Sequence, residues 1–139
     1  MKKRPVLLLT AALASLALLT GCQGSPLPDG MDEDTLLTQG REIVQELNDG
    51  DYSAVYDRLR DSSKETTTQA DVEDYMSSVL DKAGPYQKET GSLATGQTLD
   101  GGEKYGTAVF YCKHKKDDVL YRIAFDTDME LMGMEIRIK

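Results

Sequence analysis

A change of hydropathy period at Gly84-Pro85 divides this chain and limits the folds open to it. Before that point apolar residues recur at helical spacing; after it they alternate, as in strands with one face on a core. Leu36, Leu37, Ile43, Val44 and Leu47 mark a first helix over residues 34–48. Asp32, Glu33 and Asp34 put negative charge where a helix start favours it. Asn48-Asp49-Gly50-Asp51 ends that helix with turn residues, and a short second helix carries Tyr52, Val55, Tyr56 and Leu59 on one face. Residues 62–67 are polar and loop-like. Thr68 and Asp71 then have the spacing of a capped helix start. Val72, Tyr75, Met76, Val79 and Leu80 form the stripe of a third helix, which Gly84 followed by proline stops.

Beyond Tyr86 a first strand spans about residues 89–99, and Asp100-Gly101-Gly102 is a hairpin turn. The second strand, residues 104–114, is apolar on both faces: Val109 and Tyr111 on one, Ala108, Phe110 and Cys112 on the other. Lys115-Lys116-Asp117-Asp118 turns the chain into a third strand with Val119, Tyr121, Ile123 and Phe125 on one face. The last strand aligns Met132, Met134, Ile136 and Ile138, with Glu135 and Arg137 opposite. Helices first, then a four-stranded antiparallel meander, is an α+β domain with about three helices packed on one face of the sheet.

The first residues carry a different message. Lys2, Lys3 and Arg4 precede an almost wholly apolar stretch, residues 6–19, shorter than the roughly 20 residues a membrane-spanning helix needs. It ends in Leu19-Thr20-Gly21-Cys22, which resembles the lipobox of bacterial lipoproteins. That resemblance implies that residues 1–21 are a signal peptide that is removed. Cys22 would then become the first residue and carry diacylglyceryl, with acyl chains of the palmitate type, on its sulfur. The protein would sit on the cell membrane, lipid-anchored and facing outside the cytoplasm. Residues 22–32, rich in Gly, Pro and Ser with no apolar period, read as a flexible tether. Residues 33–139 read as a single domain.

Losing residues 1–21 removes three cations and no acid, so the formal charge moves from −8 to −11. Such an acidic chain is unsuited to nucleic acid, which demands a basic face. It also repels anionic headgroups, so membrane contact falls to the lipid on Cys22. Cys112 is then the one cysteine left, in an apolar run, and reads as a buried small hydrophobe rather than a reactive thiol.

The Asn48-Asp49-Gly50-Asp51-Tyr52 joint, the Ala83-Gly84 close of the third helix, and Phe125-Asp126 followed by Met132-Gly133-Met134-Glu135-Ile136 are similar to a known group. They resemble the small exported bacterial domains of unknown function in the nuclear-transport-factor-type (cystatin-like) superfamily. The resemblance covers about residues 34–139. It implies a cone, a curved sheet wrapped around the helices, often with a pocket between them. A homodimer through the open sheet face is one arrangement that superfamily uses. Its enzymes usually carry a carboxylate–histidine pair inside the cone.

Here the single histidine, His114, stands among Lys113, Lys115 and Lys116 and reads as part of an exposed hairpin end rather than a general base. Asp126-Thr127-Asp128-Met129-Glu130 starts like a calcium loop, but Leu131 and Arg137 replace its glycine and closing glutamate, which favours a solvated turn. No other metal or cofactor motif is present. Tyr52, Tyr56, Tyr75, Tyr111 and Tyr121 fall on apolar faces, where they either line a pocket open to water or fill a small core with hydroxyls at its rim. The expected function is therefore a non-catalytic binding module of the cell envelope, taking a small apolar or peptidic ligand or docking an envelope protein. The competing expectation is a hydrolase or isomerase-type enzyme using pocket carboxylates and tyrosines.

Overall fold

The computed structural model describes residues 24–139. The lipobox residues Leu19, Thr20, Gly21 and Cys22 lie outside them. Among the described residues four helices precede four strands: α1 (Glu33–Asn48), α2 (Tyr52–Arg58), α3 (Asp61–Lys64), α4 (Gln69–Ala83), β1 (Tyr86–Thr98), β2 (Lys104–His114), β3 (Asp118–Asp126) and β4 (Leu131–Ile138). The strands form one antiparallel sheet in the order β1-β2-β3-β4. The domain is thus α+β, with N-terminal helices packed on a four-stranded antiparallel sheet.

The helix boundaries follow from local chemistry. The Asp32 carboxylate accepts the Thr35 N–H at 2.9 Å and caps α1. Thr68 and Asp71 form a reciprocal capping box on α4, and Gly84, at φ 79°, ends it in a backbone conformation that glycine tolerates. The polar stretch at 62–67, expected as loop, holds the single turn α3, which Ser63 ties to the sheet by donating to the Met132 carbonyl at 2.6 Å.

Helix α1 lies across the sheet with Leu36, Ile43 and Leu47 buried against Ala108, Phe110, Tyr121 and Ile123. Gly40 makes that close approach possible: a Cβ there would stand 2.7 Å from the Phe110 ring. The buried side of β3 is Val119, Tyr121, Ile123 and Phe125, as alternation predicts. On β4 an irregular register beside Phe125 puts Leu131 in the core and leaves Met132 half-buried, correcting the inward place expected for Met132. The outer edge of β4 is closed by side chains: the Tyr75 hydroxyl donates to the Ile136 carbonyl at 2.9 Å and accepts from the Ile136 N–H at 3.3 Å. The far sheet face carries Leu93, Val109, Tyr111 and Leu120 with Arg122, Glu135 and Arg137, and lies away from the helices.

The stretch expected to be a flexible tether is, from Gly24 onward, laid against the sheet. The Ser25 N–H donates to Thr95 Oγ1 at 3.0 Å, and the Gly96 N–H donates to the Ser25 carbonyl at 2.9 Å. Leu27 and Met31 pack on the core above Gly106. Two apolar side chains hidden in a Pro/Gly-rich segment are enough to dock it, because each removes hydrocarbon surface from water.

Candidate functional site

The C-terminal half of α1, the end of α4 and the start of β1 enclose an open cleft of about 1000 Å3. Its walls combine Val44, Leu47, Leu80 and Pro85 with Tyr52 and Tyr86, and its polar lining includes Gln45 and Asn48. At the mouth Arg41 clamps Glu89 with two contacts, 2.9 and 3.1 Å, joining helix to strand. Asp49 and Asp81 also line it, and neither forms an ion pair among the described residues. With Arg41 neutralised by Glu89, the lining is net negative. Burial and then the Asp81 charge push the Tyr52 phenol above its usual range.

Beneath the cleft runs a closed chain of hydrogen bonds. His114 Nδ1 lies 2.8 Å from the Gly84 carbonyl, which can only accept, so the proton sits on Nδ1. Nε2 is then the acceptor for the Tyr121 hydroxyl at 2.7 Å. The Tyr121 oxygen accepts from Asn48 Nδ2 at 3.0 Å, and the same amide nitrogen donates to the Val44 carbonyl at 2.8 Å. His114 is 2 % exposed and Tyr121 fully buried. The Tyr86 ring meets His114 edge-on, centroids 5.5 Å apart. Burial drives the Tyr121 phenol far above its ordinary value, so it stays a hydroxyl. Burial also pushes the Cys112 thiol up to about 11, the behaviour of a packing residue.

His114 is therefore not the exposed hairpin residue its lysine neighbours suggested. The β2 alternation carries its ring inward while Lys113 and Lys115 point out. Of the five tyrosines read as pocket lining or core, Tyr52 lines the cleft, and Tyr121 is a core residue that supports its floor. The other three are elsewhere. Tyr56 is half-buried on α2 with Lys64 Nζ 5.4 Å over its ring. Tyr75 is 42 % exposed and bonds β4. Tyr111 stands on the far sheet face under Lys139 Nζ at 4.7 Å. Each sits on a stripe that is apolar by period yet faces a different neighbour. Tyr86 was missed because the first strand, expected from about residue 89, starts at Tyr86 itself, and Asn48 and Gly84 because they read as turn and cap. Asp126, of the calcium-like stretch, is buried and uses its carboxylate on the Asp128 and Glu130 N–H groups and on Arg60. Among the described residues no three His, Cys, Asp or Glu side chains gather to hold a metal ion, and no helix is long and apolar enough to cross a membrane.

Residues 40–134 match the family model described as "Protein of unknown function (DUF3887)", which spans more than half of the chain. The chain belongs to that family. A protein of Ruminococcus gnavus, solved by NMR, is similar in structure: TM-score 0.66 at 26% identity, over 80% of this chain and 96% of that one. No curated protein matches. The family match begins inside α1 and ends in β4, so it takes in every residue of the cleft and of its floor.

Proposed function

We propose that this DUF3887 domain is the extracytoplasmic part of a lipid-anchored bacterial lipoprotein of nuclear-transport-factor-type kinship. In this reading it binds a peptide segment or a small apolar molecule in the cleft without transforming it. One observation carries it: an aromatic and aliphatic cleft stands on a floor whose buried polar groups are all satisfied by one another. Such a floor is a rigid support, and its His114 has both ring nitrogens engaged, leaving no lone pair aimed at a substrate. The enzyme reading needs a carboxylate buried beside a tyrosine hydroxyl. Asp49 and Asp81 are exposed and Glu89 is held by Arg41, so no observation favours that reading. The negative lining selects against anionic ligands.

The test is photo-crosslinking in cells that make the lipidated protein, with the reactive side chain placed at Gln45 in the cleft or at Glu135 on the far sheet face. Adducts from Gln45 that disappear when Leu80→Trp fills the cleft support the proposal. Adducts from Glu135 alone would move the binding function to the sheet face.

A further inference from the structure

Docking of residues 24–31 on the sheet has a geometric consequence for the lipid anchor. At most about 3.6 Å per residue is available to an extended chain, so Cys22 can lie no more than about 11 Å from Ser25. Ser25 is bonded to Thr95 and Gly96, in the third of β1 nearest the β1–β2 hairpin. The hairpin tip carries Leu99, 41 % exposed, one of the few large apolar side chains the domain leaves in water. The β3–β4 turn lies at the same end, since Tyr105 pairs with Asp126. The cleft is at the other end, around Tyr86 and Glu89. At about 3.3 Å per strand residue, Tyr86 lies roughly 30 Å along the sheet from Gly96.

We infer that the β1–β2 hairpin end of the domain is a membrane-facing surface, held within a few residues' reach of the bilayer that carries the Cys22 lipid, so that the cleft opens away from the membrane. This rests on Cys22 being lipidated. Acids at the same end, Asp29, Asp100 and Asp128, oppose headgroup attraction, so the posture comes from the docked tether and not from surface charge. On anionic lipid the tether therefore holds the posture against that repulsion, and on neutral lipid without it. A free tether of the same length would let the domain tumble; two hydrogen bonds and two packed side chains remove that freedom. Gly96 is essential to the docking, because a Cβ there would run into the Pro26 carbonyl.

The test uses the full-length lipidated protein, purified from membranes and placed in phosphatidylcholine vesicles, with and without phosphatidylglycerol, that contain a quencher-bearing lipid. A fluorophore is attached to Asp100→Cys at the hairpin or to Lys116→Cys at the opposite end; Cys112, 2 % exposed, escapes labelling. The expected result is several-fold stronger quenching at position 100 than at 116 in both lipids. A long Gly/Ser spacer inserted directly after Cys22 should make the two equal, as should Gly96→Val in protein whose melting shows it folded. Equal quenching in the parent protein, or a difference that survives the spacer, overturns the inference while leaving the anchor intact. Protein that fails to stay with the vesicles overturns both.

Discussion

Tyr121 is the residue on which the cleft floor turns. Its hydroxyl is the joint between Asn48 on α1 and His114 on β2, and no solvent reaches it. Tyr121→Phe leaves the His114 acceptor unpaired in the interior, a desolvation cost of about 1–3 kcal/mol. Urea unfolding should show that loss, whereas Tyr56→Phe, whose hydroxyl has no hydrogen-bond partner among the described residues, should cost much less. Cys112 gives a second residue-scale outcome. The unfolded thiol ionises near its ordinary 9.0, the folded one near about 11. The unfolded state therefore binds fewer protons across that interval, and stability falls as pH rises through it. Cys112→Ala should flatten that alkaline decline in pH-dependent melting. In the native protein the thiol should resist alkylation in mildly alkaline buffer and react on unfolding. At the acid end the sign is opposite. The Asp32 and Asp71 carboxylates are held below their ordinary 3.8 by the backbone N–H groups they cap or contact, so their contribution is lost as pH falls below that value.

At the scale of the element, the seating of α1 on the sheet depends on Gly40. Helix propensity alone favours Gly40→Ala by about 1 kcal/mol. The added Cβ, however, meets the fully buried Phe110 ring at 2.7 Å and Ala108 at 3.0 Å. Overpacking a fixed core costs about 1–3 kcal/mol, so sterics win and Gly40→Ala should destabilise the domain in a denaturant melt. Whether such a glycine is a weak point of a helix or its contact surface cannot be read from period, since both leave the same gap in the apolar stripe. The caps and the turn glycines were legible because they act within four residues. The one-turn helix α3 was not: Ser63 and Arg60 hold it through the backbone of Met132 and Leu131, about seventy residues further along the chain.

For the whole molecule, Cys22→Ala should release a folded domain into the soluble fraction with unchanged melting. A variant that remained in the membrane pellet would overturn the anchor reading. The −11 charge of the chain after residue 21 makes any other attachment to anionic lipid unfavourable. The order of helices and strands, the faces of β2 and β3 and the burial of Cys112 were determined by sequence alone. They depend on periodicity and on turn and cap residues whose effects are local. The cleft, the inward turn of His114 and the docking of residues 24–31 were decided only in the tertiary structure. Each rests on a pairing between distant positions, Asn48 with Tyr121, Gly84 with His114, and Ser25 with Gly96. A one-dimensional pattern shows which face of an element is apolar. It takes the packed sheet and helices to show what that face meets, and at which end of the molecule.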